Sequence, residues 1–174
     1  MKARFLKKMA SALMMVVSLL FSCTAMAAFN HTITVTVVDA ATNEPIEGAV
    51  VLVQWTKTTG FGFKATSNYK VVEVVSDENG ELTIPGLFKF GVNSPVVNVY
   101  KKGYVAWNSE DIFPSYEKRK DFKWRNGYEF RLEHFKSEYS YKKHVFFLDV
   151  SNSASGFGLL EKAYLWESAL ARKE

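Results

Sequence analysis

Two stretches of the chain, Ile33–Trp55 and Val71–Tyr104, alternate between apolar and polar residues and are interrupted by short groups of turn-forming residues. The turn in the first stretch is Thr42–Pro45, and the turn in the second is Ser76–Gly80. Alternation with a period of two, bounded by Asn, Asp, Gly and Pro, predicts half-buried antiparallel strands. The pattern therefore indicates a mainly β fold, but it does not identify a ligand.

Seven segments are predicted to be strands, and many short strands separated by turns are typical of a β-sandwich. One segment, Val50–Val53, is apolar on both faces, which predicts a central strand that is covered on both sides. The predicted strands are approximately 31–39, 49–56, 69–76, 81–84, 95–101, 104–108 and 127–133.

The last part of the chain has a helical pattern instead. Apolar residues recur there at helical spacing and predict a helix with one apolar stripe, formed by Leu159, Ala163, Trp166 and Leu170. This stripe is expected to pack on the sandwich, with the charged residues Glu161, Lys162 and Glu167 on the remaining helix surface. Upstream of it, 138–148 is compatible with either a helix or a strand.

The first 27 residues have the layout of a bacterial secretory signal. A basic segment is followed by the apolar run Ala12–Phe21, which is too short for a good membrane span, and by the small-x-small sequence Ala25–Ala27. Cleavage after Ala27 is therefore expected, and the mature protein is expected to be periplasmic or secreted. The predicted division is a signal peptide at 1–27, a β-sandwich at 28–134, and a C-terminal extension with a packed helix at 135–174.

Cys23 allows an alternative to this predicted location. The sequence Leu20–Cys23 resembles the lipobox of bacterial lipoproteins, in which the cysteine becomes the lipidated first residue. Phe21 is bulky for its place in that pattern, so cleavage after Ala27 is the preferred interpretation. Lipidation at Cys23 would instead anchor the protein at the outer membrane, and membrane association is expected only in that case.

The charge balance argues against a nucleic-acid partner. The full chain has 22 Lys and Arg and 18 Asp and Glu residues, but four of the basic residues and none of the acidic ones lie in 1–27. The mature chain therefore has a net charge near zero and lacks the basic balance of a nucleic-acid-binding protein. Since Cys23 is the only cysteine, the mature chain also contains no disulfide.

Three motifs within 31–108 point to a known family. They are a turn with Pro and Gly between two strands (Pro45–Ala49), an acidic turn that ends in Gly (Asp77–Gly80), and a Gly-Tyr pair after a strand (Gly103 and Tyr104). In these motifs the chain resembles the carboxypeptidase regulatory-like domain, a transthyretin-like β-sandwich. The resemblance implies a seven-stranded antiparallel Greek-key sandwich of the prealbumin-like type. It also implies a non-catalytic module that accompanies enzymes or envelope proteins.

Histidine and cysteine, which commonly bind metals or take part in catalysis, are scarce in this sequence. His31, His134 and His144 are the only histidines, and neither they nor Cys23 occur at the spacing of a metal site. No G-x-S-x-G sequence is present, and the mature chain has no thiol nucleophile. The acidic run Asp77–Glu81 is too short for a calcium loop and is expected to form a hairpin turn with Gly80 at positive φ. No catalytic residue, metal ligand or cofactor is therefore predicted.

Aromatic residues in and around two loops are the candidate binding residues. The loop at 58–68 contains two phenylalanines between glycines, and the loop at 108–127 interleaves aromatic residues with Lys and Arg. Aromatic rings beside cations could stack a sugar or dock a partner, or they could cover the open end of the sandwich. The candidates are Trp55, Phe61, Phe63, Trp107, Phe113, Tyr116 and Trp124.

The leading hypothesis is a non-catalytic interaction module of the bacterial cell envelope, whose partner is an unidentified envelope protein or glycan. One alternative is a carbohydrate-binding module that uses the loop aromatics. The other is an enzyme, since transthyretin-like hydrolases and intradiol dioxygenases are enzymes that are built on a β-sandwich. The chain lacks the C-terminal Tyr-Arg-Gly-Ser of those hydrolases, and His134 and His144 do not match the closely spaced iron ligands of the dioxygenases.

Overall fold

The computed structural model describes residues 32–87, 89–151 and 158–174. Ile33–Ile84 and Lys89–Glu174 form one compact unit. Of the second unit, 1–32 with 85–88, only Thr32 and Pro85–Leu87 are described, and they form no helix or strand. The predicted signal peptide, Cys23 and His31 lie outside the described residues.

The described chain is mainly β, with strands first and two helices at the end. The larger strands are β1 (Ile33–Asp39), β2 (Val50–Thr59), β3 (Ala65–Val75), β4 (Glu81–Ile84), β5 (Val96–Tyr100) and β9 (Tyr128–Leu132). Three strands of two residues lie between the last two of these: β6 (Trp107–Asn108), β7 (Asp111–Ile112) and β8 (Glu117–Lys118). The helices are α1 (Tyr141–Ser151) and α2 (Leu159–Ala171).

Two larger sheets contain most of the strands. Their orders are β4-β1-β9 and β3-β2-β5-β6, and β7 and β8 form a separate pair. Apolar side chains with little or no exposure line one face of each sheet, as the alternation in the sequence predicts. These core residues are Val35, Val37, Ile84, Phe130 and Leu132 in the first sheet and Val51, Val53, Val97 and Val99 in the second.

The strand directions differ in one place from the predicted antiparallel sandwich. β1 and β4 run antiparallel, but β1 and β9 run parallel, with Val35 opposite Tyr128 and Asp39 opposite Leu132. The loop at 108–127 also contains the short β7–β8 pair, which was not predicted. Two-residue strands leave too little alternation to be recognised in a sequence.

The prediction that Val50–Val53 is covered on both sides is confirmed. All four residues are buried, and β2 lies between β3 and β5. Val50 and Leu52 belong to a second apolar cluster that is completed by residues of both helices. The helical residues in this cluster are Phe147, Leu148, Leu160 and Tyr164. The helices therefore form a third layer on the outer face of the larger sheet.

Helix α2 buries a different face from the predicted one. Leu159, the first residue of the predicted stripe, is exposed, and Ala163, Trp166 and Leu170 are only partly buried. The buried residues are Leu160, Tyr164 and Glu167. Glu167 was expected to face solvent, but it is 1% exposed. The apolar pattern failed here because a carboxylate with buried hydrogen-bond donors can take a core position.

Both helices begin at a glutamate that belongs to another part of the chain. The carboxylate of Glu73 on β3 accepts hydrogen bonds from the N–H groups of Leu159 and Leu160, at 2.7 and 2.9 Å. The carboxylate of Glu174 accepts from the N–H groups of Tyr141 and Lys142, at 3.0 and 3.1 Å. Each glutamate thus satisfies N–H groups that a helix cannot pair internally.

The turn at Asp77–Gly80 confirms one prediction and corrects another. Gly80 has a φ of +71°, and the Asp77 carboxylate accepts from the N–H groups of Asn79 and Glu81. The flanking strands were expected to form a hairpin, but β3 and β4 lie in different sheets. The turn therefore carries the chain from one sheet to the other.

Candidate functional site

A cleft lies where the two larger sheets end, beside β6 of one sheet and β9 of the other. It encloses about 370 Å³. Its lining combines apolar side chains, including Val105, Trp107 and Phe113, with charged ones. A concave site with an apolar floor and a few polar groups is typical of a ligand-binding site.

Aromatic side chains form the floor of the cleft. Trp107 is buried, and its ring packs edge-on against Phe130, with ring centroids 4.8 Å apart. The guanidinium group of Arg119 lies 4.4 Å from the centroid of the Trp107 ring and donates through Nε to the carbonyl of Asn108 at 2.7 Å. Arg119 therefore presents a fixed cation at the wall of the cleft.

The rim of the cleft carries charges of both signs. Arg119 lies 3.6 Å from Asp121, and Arg131 forms an ion pair with Glu129. Arg131 also donates to the side chain of Asn43 and so spans from β9 to the turn that follows β1. Glu133 also lines the cleft and adds a further carboxylate to the rim. A mixed rim of this kind suits a ligand with donors and acceptors along its length, such as a peptide.

The main chain of β9 adds polar groups on the cleft side. The carbonyl of Leu132 accepts from Ala40, next to β1, whereas the carbonyl of Glu133 accepts from Val105 on the opposite side, at 2.7 Å. Because the directions alternate along a strand, the main-chain groups of Glu129 and Arg131 also point away from β1. Among the described residues, the hydrogen-bonded ladder that starts at 133–135 does not continue along Glu129 and Arg131, where the cleft opens.

The seven predicted binding residues do not form one site. Trp55, Trp107 and Phe113 are buried and contribute to the core, so they offer no exposed platform for stacking. Trp124 is half-buried and packs edge-on against Trp55, at 6.4 Å between centroids. The remaining three are exposed: Tyr116, Phe61 and Phe63.

Tyr116 lies apart from the two phenylalanines. Its ring packs against Phe147 of α1, with centroids 5.6 Å apart, and its hydroxyl donates to the carbonyl of Lys143 at 3.3 Å. Phe61 and Phe63 lie in the turn between β2 and β3. This turn is shorter than the predicted loop because the two strands continue to Thr59 and Ala65.

A buried polar network that the sequence did not indicate joins α1, α2 and β5. His144 Nε2 accepts the N–H of Ala106 at 2.8 Å, so the proton of a neutral ring lies on Nδ1, which is 2.7 Å from Glu167. The other carboxylate oxygen of Glu167 accepts from the Tyr100 hydroxyl at 2.7 Å, and Trp166 Nε1 donates to that hydroxyl at 2.9 Å. Burial and the neighbouring Glu167 raise the pKa of Tyr100.

The network holds the helices on the sheet. His144 and Glu167 are almost completely inaccessible, and both ring nitrogens of His144 are engaged. A general base needs a free nitrogen within reach of a substrate proton. The pairing of a carboxylate with a histidine therefore has a structural role at this place.

A second polar cluster surrounds Asp39 at the end of β1. Its carboxylate accepts the N–H groups of Ala41 and Thr42, at 2.7 and 3.1 Å, and lies 2.7 Å from His134 Nε2. It also accepts the hydroxyl of Tyr104, whose ring stacks on His134. The N–H groups of Ala41 and Thr42, which stabilise the carboxylate, hold the pKa of Asp39 below its ordinary value of 3.8.

Replacing Asp39 with Asn is expected to remove a pH-dependent contribution to stability. Because the native pKa lies below the unfolded value of 3.8, this contribution is fully present above about pH 5 and is lost as the pH falls through the native pKa. The difference in the free energy of unfolding between the two proteins should therefore shrink as the pH falls below about 5. Urea unfolding at several pH values measures it, and a difference that did not shrink in acid would contradict the prediction.

Within residues 32–87, 89–151 and 158–174, no group of three or more His, Cys, Asp and Glu side chains is placed to hold a metal ion. No helix in the described part of the chain is long and apolar enough to span a membrane.

Comparison with known proteins yields distant structural similarities, among them one to a pilin and one to a lipoxygenase. No protein-family model and no curated protein matches the chain. A streptococcal ancillary pilin is similar over 61% of this chain and 30% of its own, with 16% identity and a TM-score of 0.32. A 9R-lipoxygenase from Cyanothece is similar over 65% of this chain and 17% of its own, with 15% identity and a TM-score of 0.30. The chain thus corresponds to less than a third of either protein.

Proposed function

We propose that the mature chain is a non-catalytic β-sandwich interaction module of the bacterial cell envelope, exported to the periplasm or beyond. The observation that carries this proposal is the cleft between β6 and β9, which has an apolar floor, a charged rim and a strand edge. His144 and Glu167 are engaged with each other inside the protein. Asp39 and His134 likewise form an internal pair. The polar clusters thus support binding rather than catalysis.

The finer assignment of the fold belongs to the same proposal. The turns at Pro45–Ala49 and Asp77–Gly80 support a transthyretin-like sandwich of the carboxypeptidase regulatory-like type. The parallel pairing of β1 and β9 is the feature that weighs against an all-antiparallel sandwich of that type. Burial of Trp55 and Trp107 weighs against the carbohydrate-binding alternative, because a stacking platform needs an exposed ring face.

The partner that fits the cleft is an extended peptide segment of an envelope protein. Such a segment can continue the ladder that Val105 and Glu133 begin, by pairing with the main chain of Glu129 and Arg131. Its side chains would alternate between the Trp107 floor and the charged rim. Main-chain pairing would provide affinity, and the floor and rim would provide selectivity.

Selection of peptides from a phage-displayed library on the immobilised protein tests this proposal. Arg131→Pro removes the outward N–H of β9 and is expected to abolish binding of the selected peptides. Arg131→Gln is the matched control, because it removes the same charged side chain but keeps the N–H, and it is expected to retain most of the affinity. Circular dichroism verifies the fold of both variants.

Three outcomes would contradict the proposal. The first is that no peptide is selected, and the second is that Arg131→Pro binds as well as the unchanged protein. The third is hydrolysis of an ester, amide or glycoside from a substrate panel at a rate that a single substitution abolishes. Intact mass of the exported protein separately decides between cleavage after Ala27 and lipidation at Cys23.

A further inference from the structure

The hairpin of β2 and β3 extends beyond the sheet to which it belongs. β5 pairs with β2 only as far as Gln54, whereas the β2–β3 ladder continues to the pair Thr59 and Ala65. A loop flanks the first part of this extension: Val92 forms a bridge with Lys57, and the Asn93 side chain donates to the hydroxyls of Thr56 and Thr58. The end of the hairpin, from about Thr59 to Ala65, projects beyond this loop.

Two phenylalanines at the end of this hairpin are fully exposed, and so is a third in the loop that flanks it. Phe61 and Phe63 lie in the turn of the hairpin, with relative exposures of 106% and 97%. Phe90, in the loop beside Lys57, has a relative exposure of 98%. We call Phe61 and Phe63 the phenylalanine tip. Large apolar side chains with no cover are unfavourable in water, so a group of them indicates a surface that contacts something else.

The segments that form the end of the hairpin and the loop beside it carry charges of a single sign. The segments 56–70 and 89–95 contain four lysines and no acidic residue. Lys89 donates to the Tyr69 hydroxyl at 2.8 Å, and Lys70 lies over the Trp55 ring. The mature chain as a whole has a net charge near zero, so this concentration of positive charge is local. Its charge complements an anionic surface.

We propose that the phenylalanine tip inserts into the interface of a bilayer that contains anionic phospholipid. A fluid interface accepts separate apolar side chains on a convex projection, whereas a protein partner needs a matching cavity for each ring. The phenylalanines would enter the boundary between headgroups and acyl chains, and the lysines would remain at the level of the phosphates. This contact is separate from the cleft and needs no lipid on Cys23.

Vesicle flotation tests this proposal with protein exported from a bacterial host that expresses the full chain. Every preparation carries Cys23→Ser, so that no acyl chain contributes to binding. The protein is expected to float with phosphatidylcholine vesicles that contain phosphatidylglycerol and to bind pure phosphatidylcholine much more weakly. Binding to the anionic vesicles should fall as the salt concentration rises, because salt screens exposed charges.

Substitutions at the phenylalanine tip should separate the apolar and the electrostatic parts of the contact. Phe61→Ala with Phe63→Ala is expected to lower partitioning about tenfold or more. Phe146→Ala is the matched control, since Phe146 is an exposed phenylalanine on α1, and it should leave partitioning unchanged. Lys57→Gln with Lys64→Gln should lower binding to anionic vesicles only, whereas Lys142→Gln with Lys162→Gln should have much less effect.

A fluorescent label gives a second, direct readout. In the Cys23→Ser background, Phe61→Cys provides a single thiol for an environment-sensitive dye, whose emission should shift to the blue on anionic vesicles. The same label at position 146 should not respond. The proposal is overturned if the protein does not float, if the substitutions at the phenylalanine tip leave flotation unchanged, or if the tip is instead needed to bind a soluble glycan or protein.

Discussion

Replacing Glu167 with alanine is expected to destabilise the protein by about 3–5 kcal/mol, because two buried donors then lose their acceptor. The Tyr100 hydroxyl and His144 Nδ1 each lie 2.7 Å from one oxygen of this carboxylate. No water can replace the acceptor without entering the layer between the helices and the sheet. Urea unfolding of the two proteins, followed by circular dichroism, measures the difference.

Two further variants make this prediction specific. Glu161→Ala, on the same helix but outside the buried face, should change the free energy of unfolding by no more than about 0.5 kcal/mol. Glu167→Gln should fall between Glu167→Ala and the unchanged protein, because its amide keeps one acceptor oxygen but presents an NH₂ group to the second donor. Equal stability of Glu167→Ala and Glu161→Ala would contradict the role assigned to Glu167.

Replacing Gly80 with alanine is expected to cost about 2–5 kcal/mol, as the sum of two effects. A φ of +71° strains any residue that has a Cβ, by about 1–2 kcal/mol. The added methyl group would also clash with the carbonyl of Val37 and lie 3.2 Å from the Ile46 nitrogen. Gly80 cannot easily move away, since its carbonyl accepts the N–H of Val37 at 2.8 Å.

Gly127→Ala separates the two effects. Gly127 has a φ of +69° and is likewise bonded to β1, through the carbonyl of Thr34, but a methyl group there would meet no atom within 4 Å. It should therefore show only the conformational cost of about 1–2 kcal/mol. Thermal unfolding compares the two variants. If Gly127→Ala proved as destabilising as Gly80→Ala, the contact with Val37 would have no energetic importance.

The strands could be predicted from the sequence because their pattern is local. Every second residue of β1 and of β9 faces the core, so alternation alone located both strands to within two residues. Their parallel pairing could not be predicted in the same way, since it depends on how a long intervening segment returns. The same limit applies to the cleft, whose walls come from β6, β9 and the loop between them.

The buried polar network and the candidate binding aromatics show where residue type alone predicts exposure or binding wrongly. Glu167 is of a residue type that is usually exposed. Its burial is favourable only because Tyr100 and His144 form hydrogen bonds with its carboxylate in the folded protein. Trp107 was predicted to bind a ligand from its place near a long loop, but its ring packs against Phe130 and Arg119, so only a small part of it contributes to the floor of the cleft. Phe61 and Phe63 remained exposed because they lie in a turn that the sheet does not cover.

The glutamates that cap the two helices have a consequence for the order of folding. Helices of 11 and 13 residues are marginal in isolation, and here their first N–H groups depend on Glu174 and on Glu73 of β3. For α2 the capping carboxylate reaches its place only when β3 has joined the sheet. We therefore expect the helical layer to form after the sheet that contains β3 and to detach before it under stress. The chain would thus complete its fold with the helices.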